Sequence, residues 1–219
     1  MIQEKLEALR SEIPDGVRLI AVSKTHSCER ILEVYHKGQR DFGENKVQEL
    51  VDKFETLPKD IRWHMIGHLQ SNKVKYIAPF VHLIHGVDSF KLLQEINKQG
   101  EKNQRIISCL LQFHIADEES KFGLSLEEAN LFLSSSEYQA MKYVQLCGVM
   151  GMATFTNNQN QIRTEFRSLV NVFQYLKKQY FQSFVPFKEI SMGMSDDYPI
   201  AIKEGSTMIR VGSKIFGSR

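Results

Sequence analysis

Two stretches of the 219-residue chain carry residue types that can do chemistry together. Lys24 closes an otherwise apolar run, LIAVSK. If its side chain turns into an apolar mouth, desolvation lowers the amine pKa, and the neutral amine can then form a Schiff base with an aldehyde or ketone. A strand-end lysine equally well snorkels to solvent, and its position alone leaves both readings open. The second stretch runs from Ile190 to Gly217 and holds SMGMSDD and GSTMIRVGSKIFG. A helix opening at Ser195 would aim backbone N–H groups at an anion. Ser191, Ser195, Gly212 and Ser213 offer hydroxyls or unshielded amides, and Arg210 adds a fixed positive charge. The glycines also suit turns, and Met192 and Met194 suit core packing. An amine beside an anion cradle describes a ligand that carries both an aldehyde and a phosphate. Pyridoxal 5′-phosphate fits that description, and so does a sugar phosphate.

The elements that must position these groups follow from alternation along the chain. Short apolar runs at Arg18–Thr25, Asp41–Asn45, Arg62–Gly67, Leu83–Asp88, Arg105–His114, Val144–Met152, Phe187–Met194 and Thr207–Phe216 read as strands. Segments of helical period separate them. Ser27 is placed to cap the first of these, which should stop at Gly38, and Ser125 with Glu128 forms a capping box before another. A further helix is expected over Ser195–Glu204, and MIQEKLEALRSEIP reads as an extra helix at the N-terminus. Eight strands alternating with helices point to an α/β fold, a single (β/α)8 barrel over residues 1–219, with an open doubly wound sheet as the alternative. In such barrels the chemistry sits at the carboxyl ends of the strands, where Lys24 and the Ile190–Gly217 stretch both fall. No GxGxxG or GxxxxGK[ST] loop follows any strand, which weakens nucleotide-binding versions of the open sheet.

Composition narrows the field. About 42% of residues are hydrophobic, enough for a sizeable core, and 28 Lys plus Arg against 26 Asp plus Glu leave a formal net charge of only +2. That balance argues against a nucleic-acid binder. No run approaches a membrane span, and the three scattered cysteines suit a cytoplasmic chain with free thiols. His64 with His68 and His82 with His85 lack a Glu or Cys at metal-ligand spacing, so no metal is expected. The lysines at 46, 53, 73 and 75 read as a solvated helix face, and the polar stretch 154–160 as a mobile loop over the mouth.

The motifs AVSKT, FGEN, WHMIGHLQSNK, SKFG, GVMGMAT, SMGMSDDYPIAI and GSTMIRVGSKIFG run in order through nearly the whole chain. Together they resemble the pyridoxal-phosphate homeostasis protein family (YggS/PROSC), whose fold is similar to the N-terminal barrel of alanine racemase. The resemblance implies pyridoxal 5′-phosphate as cofactor, with Lys24 as the Schiff-base lysine. It implies Asn45 in the pocket, and His64, Met65 and Ile66 beside the ring. It also implies phosphate contacts from Ser191, Met192, Ser195, Arg210 and Gly212, with Arg210 facing either the ring nitrogen or the phosphate. Relatives often carry an arginine in the loop that here reads ESKFG, so a ligand role for Lys121 does not carry over.

The same resemblance bears on catalysis. An alanine racemase sets a lysine and a tyrosine on opposite faces of the cofactor, the tyrosine coming from a second domain, and the chain is expected to end at Arg219 without one. Stand-ins near the mouth are His64, His68, His114 and Tyr198, three of them with a plainer role: His64 in barrel packing, His68 as a helix cap, Tyr198 on a helix surface. The expected function is therefore a carrier or buffer of the cofactor in intracellular PLP homeostasis, without robust catalysis and with no catalytic residue assigned. Apo PLP-dependent enzymes are the expected recipients, and the state a monomer or weak dimer with no nucleic acid or membrane as partner. The alternatives are a racemase-like PLP enzyme and a lysine-dependent aldolase acting on a sugar phosphate.

Overall fold

The computed structural model describes residues 2–117 and 122–217. Lys121 lies outside the described residues. The strands are β1 Arg18–Val22, β2 Asp41–Glu44, β3 Arg62–Met65, β4 Leu83–Val87, β5 Ile107–Gln112, β6 Val144–Met150, β7 Glu189–Ser191 and β8 Met208–Val211. They pair in sequence order, all parallel, and β8 returns to β1 to close the barrel. The open-sheet alternative is thereby excluded. The helices are α1 Ile2–Glu12, α2 Cys28–Tyr35, α3 Val47–Thr56, α4 Val74–Ile77, α5 Phe90–Lys102, α6 Leu126–Leu133, α7 Ser136–Gln139, α8 Gln159–Gln179, α9 Tyr198–Lys203 and α10 Ser213–Phe216. Each of the seven links from one strand to the next contains at least one of them, as parallel neighbours require.

Each strand falls inside its expected interval but ends sooner, because the last few residues leave the sheet to build the carboxyl-end loops. The largest shortfall is in β8. Residues 213–216 turn into α10, where the N–H groups of Ile215 and Phe216 both donate to the Gly212 carbonyl. The expected helix at Ser195 begins only at Tyr198, after a turn over residues 195–197. The capping box of Ser125 and Glu128 forms with both of its bonds, and Ser89 caps α5. Ser27 stands at the N-cap of α2 without a capping bond; its hydroxyl serves the Glu29 carboxylate instead.

Side chains alternate across each strand, as the period of two demands. Trp63 and Met65 of β3 turn outward into the large apolar shell between strands and helices, as do Ile190 of β7 and Ile209 and Val211 of β8. The lower interior holds a smaller apolar cluster of Leu83, Leu110, Cys147, Met150 and Met208. Interleaved with it are the buried polar groups His64, His85, Ser191 and Arg210. All three cysteines are free thiols. Among the described residues no helix is long and apolar enough to cross a membrane.

Of the glycines required by close approach, Gly148 has the tightest surroundings. Cys147 is an extra residue in β6, since Cys109 pairs with Leu146 and Leu110 with Gly148. The bulge leaves Gly148 at φ +153°, where a Cβ would stand only 1.8 Å from the Glu189 carbonyl oxygen. Replacing Gly148 by alanine must push β7 away from β6. Thermal melting of Gly148→Ala should show a Tm lowered by roughly 5–10 °C.

Candidate functional site

A cavity of about 490 Å³ opens at the carboxyl ends of the strands. Lys24, Asn45, Ile66, Ser195, Arg210 and Gly212 line it. These six of the ten residues expected at the site come from β1, β2, β3, β7 and β8 or the loops that follow them. The other four do not reach it. Met65 is wholly buried among the apolar shell, because it alternates with His64 and Ile66 and all three cannot face the same way. Met192 is turned into the shell by the same rule, one residue past Ser191. His64 and Ser191 do point into the barrel, but lie below the cavity as parts of the hydrogen-bonded interior. Ser195 sits in a turn and not at a helix N-terminus, and the Met194 N–H beside it donates to the Asp197 carboxylate at 2.5 Å.

Lys24 is presented by a strained, clamped segment. Thr25, the next residue, has φ +68°, the left-handed region that a β-branched side chain disfavours. Its N–H donates to Glu49 Oε1 at 2.5 Å. On the other side of Lys24, the Ser23 hydroxyl donates to Glu44 Oε1 at 2.6 Å. The Ser23 carbonyl accepts from Lys53 Nζ at 2.8 Å. Lys53 Nζ also lies 2.7 Å from both Glu44 Oε1 and Glu49 Oε1. Lys53, expected on a solvated helix face, is thus buried, and it ties α3 to both carboxylates behind the Lys24 segment. Burial pushes the Glu44 carboxyl pKa up despite Lys53, and its Oε2 has no hydrogen-bond partner among the described residues.

Sequence reasoning missed several wall residues. Gln112 at the end of β5 lines the cavity and holds the Phe122 carbonyl at 2.9 Å. Phe122 stacks on His68 with ring centroids 4.1 Å apart, and His68 Nδ1 lies 2.8 Å from Asp88 Oδ2. His68 is therefore oriented by a carboxylate at the cavity wall, and no helix cap is made by its side chain. His26, Met152, Met194 and Phe155 complete much of the rim. The β-strand period marks Gln112 as inward-facing, and that was the available signal. The side-chain positions of Phe122 and Phe155 depend on loops. Tyr198 is buried and its hydroxyl bonds Glu12, so it is neither on the helix surface nor at the mouth.

Beneath the cavity, Arg210 is 4% exposed and donates to Ser191 Oγ at 2.6 Å and to the Gly151 carbonyl at 3.2 Å. Desolvation lowers its pKa to about 10, which still leaves it a cation at neutral pH. At the opposite end of the barrel Asp41 receives Arg62 bidentately at 2.6 and 2.8 Å, which keeps its carboxyl far below the usual range against the opposing effect of burial. Candidate ligand atoms of Asp41, His64 and His82 lie within 4.8 Å of one another there, with the Asp41 oxygens already engaged by Arg62 and His64.

The donor set fits an aromatic aldehyde bearing a phosphate. A primary amine stands at one side, hydroxyls of Ser195 and Ser213 with the Gly212 backbone at another, a guanidinium is in the floor, and Val22, Ile66 and Met152 offer apolar surface. Fold and cavity together define an alanine-racemase-type barrel. A family model described as alanine racemase, N-terminal domain, matches residues 1–219. The pyridoxal phosphate homeostasis proteins of Haemophilus influenzae and Schizosaccharomyces pombe are each 38% identical to the chain, over all of it and 93% of their own length. The structure of PipY from Synechococcus elongatus without PLP superposes with a TM-score of 0.92 at 36% identity, covering 99% of this chain and 100% of that one. The same protein with PLP bound gives 0.88 at 35% identity. Alanine racemase of Clostridium difficile shares the fold at a TM-score of 0.74 and 12% identity, with 56% of its length covered. The chain belongs to the pyridoxal phosphate homeostasis protein family.

Losing Lys53 would leave Glu44 and Glu49 facing each other without a cation. Lys53→Met should lower Tm by about 10 °C at neutral pH. Glu44, already raised, should rise further, so its penalty is full above its folded pKa and vanishes below the unfolded value near ~4.3. The deficit should therefore shrink on acidification through that window, as read by melting curves at several pH values.

Proposed function

We propose that the chain binds pyridoxal 5′-phosphate at this cavity, holds it through a Schiff base on Lys24, and serves as a carrier or buffer of the cofactor within the cell. The observation that carries the reading is the placement of Lys24 in the wall of a 490 Å³ cavity that also takes in Ser195, Gly212 and Arg210. That volume lies within the roughly 300–1,000 Å³ of small-molecule sites. The names of the relatives and the PLP-bound form of PipY support it.

The cofactor supplies an aldehyde that reacts reversibly with amines. The residues of the chain bind and orient it. Lys24 would hold it through its amine, whose addition to the aldehyde would release water. Thr25 and Ser23, clamped by Glu49, Glu44 and Lys53, hold the lysine backbone in place. The hydroxyls of Ser195 and Ser213 would receive the phosphate, with Ser195 Oγ oriented by the Gly212 N–H that donates to it at 3.3 Å. Arg210 lies two residues deeper on β8 than Gly212, about 7 Å along a strand, which matches the ring edge better than the phosphate. A guanidinium at the ring nitrogen would keep that nitrogen unprotonated and weaken the ring as an electron sink. The rim is open as well: Phe155 is 85% exposed and Phe122 55%. An open site suits exchange of the cofactor with apo enzymes better than carbanion chemistry.

A second reading, a racemase-like PLP enzyme, rests on His68, which Asp88 orients at the cavity wall as a carboxylate orients a general base. The two are separated by incubating the loaded protein with amino acids in deuterium oxide. The carrier reading expects no sustained exchange at the α carbon, and exchange that is lost in His68→Asn would replace it.

The primary test is an absorption spectrum of the purified protein incubated with pyridoxal phosphate, before and after borohydride, with mass mapping of the reduced peptide. The expected outcome is a yellow protein whose label is fixed on Lys24, and a colourless Lys24→Ala. A wild-type protein that stays colourless overturns the reading.

A further inference from the structure

Between the cavity floor and the far end of the barrel runs an unbroken row of buried side chains. Arg210 Nη1 lies 2.6 Å from Ser191 Oγ, and Ser191 Oγ 2.8 Å from His85 Nδ1. His85 Nε2 lies 2.9 Å from His64 Nδ1, and His64 Nε2 3.0 Å from Asp41 Oδ1. The His85–Ser191 contact joins β4 to β7, strands that are not neighbours, and so crosses the barrel. His64, His85 and Ser191 have no exposed surface.

The direction of every bond follows from the Asp41 end. Asp41, held by Arg62, is an anion and can only accept. His64 must therefore carry its proton on Nε2. Burial without a second anion holds both imidazoles below their usual pKa, so each is neutral and has one donor and one acceptor. His64 Nδ1 is then an acceptor, His85 Nε2 its donor, and His85 Nδ1 an acceptor in turn. The Ser191 hydroxyl must donate to His85, which leaves only lone pairs facing Arg210. The Gly151 carbonyl is a second pure acceptor for the same guanidinium.

We propose that Asp41, His64, His85 and Ser191 form a one-way hydrogen-bond chain through the barrel that pins the Arg210 guanidinium in the cavity floor, so that His85 and Ser191 are positioning residues for the bound ligand. The part that concerns the ligand rests on the pyridoxal phosphate reading; the chain itself does not. Arg210 carries no carboxylate partner within hydrogen-bond distance among the described residues, so neutral acceptors backed by a distant anion take that place. Asp197 acts on Arg210 only through space, and the anion that ends the hydrogen-bonded row is Asp41. Transmitted through two imidazoles and a hydroxyl, the same negative charge orients Arg210 while staying at the far end of the barrel.

The test uses the full chain with pyridoxal phosphate as probe. Long-range ¹⁵N–¹H correlation spectra of the ligand-free protein at neutral pH should show His64 and His85 both neutral and both protonated on Nε2. Ser191→Ala keeps both imidazoles and removes one hydroxyl. It should weaken pyridoxal phosphate binding about tenfold, shift the absorption maximum of the bound form, and broaden the Arg210 Nε–H resonance. Ser191→Thr, which restores the hydroxyl, should recover affinity and spectrum, a rescue that a packing effect would not give. Asp41→Asn acts from the opposite end of the barrel and should weaken binding in the same sense, with a mixed His64 tautomer. An Nδ1-protonated or charged imidazole in the ligand-free wild type overturns the chain. So does a Ser191→Ala protein with unchanged affinity and spectrum. If the wild type takes up no pyridoxal phosphate, the functional reading fails, and the tautomers with the Arg210 resonance in Ser191→Ala decide the chain alone.

Discussion

The interior of a closed eight-stranded barrel must be filled by side chains, and any polar group placed there must find a partner there. That constraint governs this protein. The cavity needs a cation in its floor, and Arg210 supplies it from β8, almost wholly buried. A buried guanidinium is tolerable only if its donors are met. Ser191 and Gly151 each take one of them, and the requirement then passes from Ser191 to His85, to His64 and to Asp41, where Arg62 closes the series at the edge of the barrel. The polar groups share the interior with only a small apolar cluster, while most of the apolar packing lies outside the barrel, between strands and helices.

The lysine side of the cavity solves a different problem by similar means. Lys24 lies just past the end of β1, where the backbone must leave the sheet, and the exit is made with a left-handed residue that is not glycine. Strain of this kind persists only where the surroundings over-determine it. Here the surroundings are two carboxylates and a lysine, and all three come from the segment that follows β1 in the barrel: Glu44 ends β2, and Glu49 and Lys53 lie on α3. The element that packs beside the lysine loop thus also sets its conformation. Rigid support of the backbone is thus combined with an open rim.

How much of this was legible in the sequence differs by level. Eight apolar runs separated by helical segments were enough to place every strand, because the alternation of period two with period 3.6 is local. The strand ends were less legible: SKIF continues the apolar pattern of β8, yet becomes a helical turn because the Gly212 carbonyl takes both following N–H groups. At the site, Lys24, Asn45, Ile66, Ser195, Arg210 and Gly212 are in the cavity wall, whereas Met65 and Met192 are not. That second result was available from the sequence, since adjacent residues of one strand face opposite ways. Lys53 was not legible. It shares a helix face with the buried Leu50 and Leu57, but a lysine there reads as snorkelling to solvent, and only the approach of Glu44 from β2 makes it a buried ion.

What the sequence alone determined is the barrel, its chain order, and the end of it at which the cavity opens, because these depend on patterns within single elements. Only the tertiary structure decided which groups act together. His64 and Ser191 are 127 residues apart in the chain, and nothing local to either marks them as members of one row. They are joined because closing the sheet brings β4 across from β7 and leaves the polar side chains between them no water to bond.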